Sequence, residues 1–171
     1  RYVIEKRVGR GAMGAVYLAK DPRINRPVAL KAIPIEKEFE DEELKEARQR
    51  FFREAESAGR LTHPNIITVF DAGEDKGLAY IAMEYVEGTT LKEILRRRGA
   101  ISPSGILHVL MQISEALAYA HEKKVVHRDI KPANAMWTRD KKAKLMDFGL
   151  AKVVEEARNH TTVVAGTPYY M

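Results

Sequence analysis

Arg7-Val8-Gly9-Arg10-Gly11-Ala12-Met13-Gly14-Ala15-Val16-Tyr17-Leu18 carries three glycines in the spacing G-x-G-x-x-G and then an apolar, β-prone run. Alone, the spacing fits a flexible hairpin tip as well as an anion cradle. A dinucleotide-binding loop needs a helix directly after the third glycine. A Walker loop needs Gly-Lys-Ser/Thr, whereas Gly14 is followed by Ala15. The functional reading that remains is a glycine-rich hairpin laid over phosphates, because positions without side chains let backbone N–H groups approach an anion.

Working outward, Tyr2–Val8, Ala15–Lys20 and Pro27–Ile33 read as three strands, punctuated by the turn pair Asp21-Pro22 and stopped by Pro34. In the third, alternation puts Ala29, Lys31 and Ile33 on one face. A lysine inside an apolar strand either snorkels at an edge or has its charge met. Residues 41–59 read as a long helix with Glu42 and Glu43 in its first turn and Gly59 after its end. Its buried stripe is Leu44, Phe51, Ala55 and Ala58, and Glu54 shares that face. Glu54 is therefore a candidate partner for Lys31, with Arg50 as a surface alternative.

Thr68–Ala72 and Leu78–Val86 read as a hairpin, and Thr89–Arg98 as a short helix. Ser102-Pro103 starts a helix over 103–122, with Ser as N-cap and Pro in first position. Ile106, Leu110, Ile113, Leu117 and Ala120, widened by Leu107, Met111 and Ala118, predict a broad buried face. Five strands and a long helix thus precede a mostly helical part, joined near Glu87-Gly88. Two lobes imply a cleft, where small ligands commonly bind.

The chain has 171 residues, a hydrophobic fraction of 45% and a charged fraction of 31%. A chain of this length can bury roughly 70% of its unfolded surface, so it needs no disulfide or metal staple. Lysine plus arginine exceed the acids by 29 − 24 = 5. This mild excess suits an anionic ligand without demanding nucleic acid. Arg96-Arg97-Arg98 and Lys141-Lys142 read as solvated faces. The absence of cysteine excludes a disulfide framework, thiol catalysis and Cys-based zinc sites. No apolar run approaches a bilayer span. A start at Arg1 marks the chain as an expected piece of a longer protein.

His127-Arg128-Asp129-Ile130-Lys131-Pro132-Ala133-Asn134 is followed, eighteen residues beyond Asp129, by Asp147-Phe148-Gly149, and then by Gly166-Thr167-Pro168. With the glycine loop and Val28-Ala29-Leu30-Lys31, these segments resemble the protein-kinase signature set in order and spacing. The wording of the whole chain resembles the bacterial eukaryotic-like serine/threonine protein kinases. That resemblance implies an α+β bilobal fold. It divides into a β-rich N-lobe with one long helix and hinge (1–86) and an incomplete, mainly helical C-lobe ending in the activation segment (87–171).

The resemblance also implies roles for individual residues. Gly9, Gly11 and Gly14 would cover ATP, and Lys31, positioned by Glu54, would hold its α/β-phosphates. Val8, Val16 and Ala29 would roof the adenine, Met136 would floor it, Met83 would be the gatekeeper, and Glu84 to Val86 the hinge. Asp129 would be the catalytic base and Lys131 would steady the transferring phosphoryl group. Asn134 and Asp147 would hold Mg²⁺. His127 would be structural, packed on Phe148. Arg128 and Lys152 would meet a phosphate on Thr161 or Thr162.

Lys131 with Thr167 resembles the serine/threonine branch, so the expected partners are ATP and a protein substrate bearing serine or threonine. The expected location is cytoplasmic, with no nucleic acid and no membrane contact within this segment, although the parent protein can be anchored elsewhere. The chain stops just before the family's Ala/Ser-Pro-Glu segment. This predicts an uncovered face on helix 103–122, self-association and weakened transfer. The alternative function is a nucleotide-binding or regulatory module without efficient catalysis.

Overall fold

The computed structural model describes residues 1–11, 14–34, 41–98 and 101–148; of residues 41–44 and 98 it describes only the backbone. Two sheets, three α-helices and one short 3-10 helix make up the described part of the chain. The first sheet is antiparallel, with strand order β1-β2-β3-β5-β4. Its strands are β1 (Val3–Gly11), β2 (Gly14–Asp21), β3 (Arg26–Ile33), β4 (Val69–Asp75) and β5 (Leu78–Glu84).

Alternation along β3 works as expected. Val28 and Leu30 join a core on one face with Ala19 and Ala82, flanked by Tyr2, Tyr17, Phe70 and Tyr80. Ala29 and Ile33 join the opposite core, which Ala47, Phe51 and Ala55 of α1 (Asp41–Gly59) close from above. Lys31 lies on this second face and is only 6% exposed, so it is not a snorkelling edge lysine. The buried stripe of α1 runs through Ala47, Phe51, Ala55 and Ala58; the side chain of Leu44 lies outside the described residues.

The second part departs from expectation in two ways. Thr89 and Thr90 belong to a strand, β6 (Gly88–Thr90), and α2 (Leu91–Arg98) begins only after them. β6 pairs with β7 (Ala135–Thr138), which pairs with β8 (Ala143–Leu145), giving a three-stranded sheet where only short apolar pairs were legible. Strands of three or four residues are too short to show an alternation.

The third helix, α3 (Pro103–Glu122), has the expected limits, and the Ser102 hydroxyl accepts from Gly105 N at 3.2 Å. Its buried residues, however, are Val109, Ala116 and Ala120. Ile106, Leu107, Leu110 and Met111 are 45–60% exposed. Periodicity counts apolar residues; it does not say which of them meets a neighbour. Among the described residues, none of the other elements covers that side of α3. No helix in the described part is long and apolar enough to cross a membrane.

The loop before β4 ties the two parts together. Ile67 N donates to Leu145 O and Leu145 N to Asn65 O, both at 2.8 Å. The Asn65 amide donates to Ala143 O at 2.8 Å and to Gln112 Oε1 of α3 at 2.7 Å. These bonds hold β8, and the residues just after it, directly beneath the first sheet.

Candidate active site

The glycine-rich segment is a hairpin, as its flanks predict: Gly9 pairs with Val16, Arg10 with Ala15 and Gly11 with Gly14. Gly14 is required by packing on β3. Its φ is +128°, and a Cβ there would lie 2.0 Å from the Ala32 carbonyl oxygen of β3. Gly9 is under no such constraint, since its Cβ would meet nothing closer than Val16 Cβ at 3.8 Å.

Below the hairpin, Ala29 and Met83 are buried in one apolar cluster, with Val16, Val86 and Met136 packed against it. Five of the residues expected around a purine thus fall together. Val8 is 45% exposed and stands outside the cluster. The same cluster recruits Tyr85, inside the expected hinge, and Met146, which sequence reasoning missed. At its back, Met83, Asp147 and Phe148 line one small cavity.

The polar groups form a continuous chain of contacts. Lys31 Nζ lies 2.8 Å from Asp147 Oδ1, and both side chains are largely buried. Next to Asp147, Met146 N donates to Asn134 O at 3.0 Å. The Asn134 amide donates to both the backbone oxygen and Oδ2 of Asp129, each at 2.9 Å. Lys131 Nζ lies 2.6 Å from that same Oδ2. With its nitrogen so engaged, Asn134 presents Oδ1 as its acceptor. Asp147 and Arg128 have φ of +65° and +66°, a conformation that non-glycine residues rarely adopt and that tends to mark functional turns.

His127 is 1% exposed, its ring centroid lies 4.5 Å from that of Phe148, and burial pushes its pKa below the ordinary histidine value. The neutral ring donates through Nε2 to Met146 O at 2.9 Å and accepts through Nδ1 from Asp129 N at 3.3 Å. Both ring nitrogens are occupied in fixing the turn, which suits a structural role rather than proton transfer.

One expected pairing is not formed. Lys31 is met by Asp147, while Glu54 Oε1 lies 3.3 Å from Arg128 Nη1. The left-handed turns at 128 and 147 swing Arg128 toward α1 and Asp147 under β3, so each cation meets a different carboxylate from the one helix periodicity suggested. Arg50 is not the partner of Glu54 either; it sits 3.7 Å from Glu46. Lys152, Thr161, Thr162 and the segments from Gly149 onward lie outside the described residues.

Lys144 is a further residue that sequence reasoning missed. Its ammonium reaches both carboxylate oxygens of Glu84, at 2.8 and 2.9 Å. Glu84 also accepts from Thr68 N at 3.3 Å, and its own N donates to Thr68 O at 2.9 Å. Lys144 therefore anchors the end of β5, where the hinge is expected, to β8, three residues before Asp147. Nothing local in the sequence announces a pair whose members lie 60 residues apart.

The arrangement offers an apolar cluster beside a glycine hairpin, a buried ammonium and hard oxygen donors. Comparison with known proteins agrees. Residues 2–171 match the family model described as protein kinase domain. The chain is 41% identical, over its whole length, to "Serine/threonine-protein kinase PrkC" of Bacillus subtilis, and covers 26% of that protein. It is 36% identical to "Serine/threonine-protein kinase PknB" of Mycolicibacterium smegmatis, again over its whole length and covering 28% of that protein. The chain thus spans about a quarter of the length of these curated relatives. The crystal structure of the Mycobacterium tuberculosis PknI kinase domain superposes with a TM-score of 0.76 at 38% identity, covering 88% of this chain and 60% of that one. Family match and fold likeness agree, and the chain belongs to the protein kinase domain family.

Proposed function

We propose that the protein transfers the γ-phosphoryl group of ATP to serine or threonine hydroxyls of proteins. The observation that carries this reading is the unbroken chain of contacts from Lys31 through Asp147, Met146 and Asn134 to Asp129 and Lys131. It gathers two cations and two carboxylates near the apolar cluster of Val16, Ala29, Met83, Val86 and Met136, whose chemistry suits adenine.

In this reading Asp129 accepts the proton of the substrate hydroxyl as the oxygen forms its bond to the γ-phosphorus and the bond to ADP breaks. Lys131 holds the transferred group's oxygens, and Lys31 the α/β-phosphates. Asp147 and Asn134 Oδ1 are hard oxygen donors and fit Mg²⁺, whose usual site is one or two carboxylates plus phosphates. When bound, the ion supplies charge neutralisation across the phosphates. Positioning and electrostatics provide most of the acceleration. The lobes divide near residue 86, and the cytoplasm is where ATP and protein substrates meet it. In the isolated chain, the exposed apolar face of α3 favours self-association, which light scattering tests.

A second reading has its own support. With Lys31 held by Asp147 and Glu54 by Arg128, the arrangement also suits a nucleotide-binding or regulatory module with weak transfer. One experiment separates the two: γ-phosphoryl transfer to a generic protein beside an ATP-induced thermal shift with and without Mg²⁺, for the wild type and Asp129→Asn. Transfer that Asp129→Asn abolishes supports the kinase. A nucleotide shift without Asp129-dependent transfer supports the module, and neither signal overturns both.

A further inference from the structure

We propose that the groove between α2, the start of α3 and the β6–β7–β8 sheet docks an acidic, leucine-bearing segment of a protein substrate. This inference rests on the kinase reading above but concerns a groove that shares only Tyr85 and Val86 with the apolar cluster assigned to adenine.

The floor of the groove is apolar. Leu91 of α2 and Val109 of α3 are buried at its base, while Ile94, Ile101 and Trp137 remain partly open to it. Its rim is basic. Arg97, Arg139 and Lys141 line it and are exposed, whereas Glu87 is the one carboxylate among the described lining residues. Three cations against one acid leave a net charge of 3 − 1 = +2. Neighbouring Lys142 is 3.2 Å from Asp140, and Lys144 is engaged by Glu84. Arg97, Arg139 and Lys141 form no ion pair among the described residues. Arg97 and Lys141, which belong to two clusters that look like separate solvated faces in the sequence, therefore border a single apolar trough.

The rim is also held in place before anything binds. Thr138 N donates to Lys142 O at 3.0 Å, Lys141 N to Thr138 O at 3.2 Å, and Lys142 N to Thr138 Oγ1 at 3.0 Å. Gln112 of α3 donates to Lys141 O at 3.1 Å and accepts from Ala143 N at 2.9 Å. The turn carrying Arg139 and Lys141 is thereby fixed to α3, so little ordering is left for binding to impose. Charge complementarity selects an anionic partner and sets its register. The aliphatic floor selects leucine-like side chains between the acids. A nucleic acid would instead call for several stacking rings and a longer run of cations.

The chain has a single tryptophan, and it lines this groove. Trp137 emission is therefore a direct probe. The ligand is a synthetic twelve-residue peptide with three aspartates and two leucines, titrated into the chain beside a twin whose aspartates are replaced by lysine, and beside a single-stranded oligonucleotide. The expected result is a saturable change in Trp137 emission with the acidic peptide alone. R139E/K141E should weaken it at least tenfold, and the milder R139Q/K141Q severalfold. Fusing the acidic segment to a serine peptide should lower its KM for transfer at least fivefold in the wild type and not in R139E/K141E.

Equal binding of the lysine twin, stronger binding of the oligonucleotide, or indifference to both double variants would overturn the proposal. The ATP–Mg²⁺ thermal shift of the same samples reads the kinase assignment separately. Its loss in the wild type would sink that assignment, while the peptide titration would still stand or fall alone.

Discussion

Glu54 of α1 and Arg128, the residue in front of Asp129, hold one another at 3.3 Å across 74 positions of sequence. The pair spans the two parts of the fold, and it occupies the carboxylate that helix periodicity directs toward Lys31. It also occupies the guanidinium proposed to meet a loop phosphate. Arg128 is 44% and Glu54 25% exposed, so solvent screens the pair. Exposed pairs contribute about 0.2–1 kcal/mol. Arg128→Gln should accordingly shift the urea-unfolding free energy by less than about 1 kcal/mol. A substantially larger loss would show that the pair is a structural strut rather than an exchangeable contact.

Lys31 and Asp147 are a different case, because both are largely withdrawn from water. Lys31→Met keeps most of the volume but leaves the Asp147 carboxylate without its cation. Removing one member of a fully buried pair costs about 3–5 kcal/mol. For Asp147, 18% exposed, about 1–3 kcal/mol is the expectation. Phosphoryl transfer should fall at least about 100-fold, as expected when a preorganised charge at the reacting phosphates is lost. Denaturant titration and a transfer assay on one preparation check both. Unchanged transfer would remove Lys31 from the proposed machinery.

The glycine hairpin gives a paired comparison. Gly14→Ala meets the Ala32 carbonyl and a φ of +128°, so it should destabilise by about 1–3 kcal/mol. Gly9→Ala has open contact distances and should stay within about 0.5 kcal/mol. Thermal midpoints of the two variants test this. Equal effects would mean that packing on β3 is not what requires Gly14.

His127 sets a pH dependence of stability. Its folded-state pKa is depressed by burial. Between that lowered value and the ordinary value near 6.5, the unfolded chain binds more protons than the native one. The contribution of His127 is thus fully present above about pH 6.5 and is lost as pH falls toward the lowered folded value. His127→Phe should be less stable at pH 7.5, because Met146 O and Asp129 N lose their partner. Its stability should also fall less steeply between pH 7.5 and 5.5 than that of the wild type. Urea midpoints at the two pH values measure the slopes; parallel slopes would contradict the assignment.

Much of the site was legible before any coordinates. Asp129, Lys131 and Asn134 lie within six residues, and such local runs carry their geometry with them: the Asn134 amide reaches Asp129 Oδ2 because a single 3-10 turn, Pro132–Asn134, brings it back. The alternation that faces Lys31 inward with Ala29 and Ile33 was equally readable. The choice of partner for that lysine was not. Periodicity places Glu54 on the correct face of α1 but says nothing about a competing carboxylate swung under β3 by a left-handed residue at 147. Lys144 escaped for the same reason.

The amino-acid order alone settled the strand pattern of the first sheet, the hairpin glycines, the Ser102 cap of α3 and the run from His127 to Asn134. Each depends on bonds, sterics or hydrogen bonds among residues a few positions apart. Three things required the assembled fold. They are the exchange that gives Lys31 to Asp147 and Glu54 to Arg128, the side of α3 that is covered, and the meeting of Arg97 with Arg139 and Lys141 around one trough. Charges and apolar surfaces act over a few ångströms of space, and only the packing of distant segments decides which of them come that near.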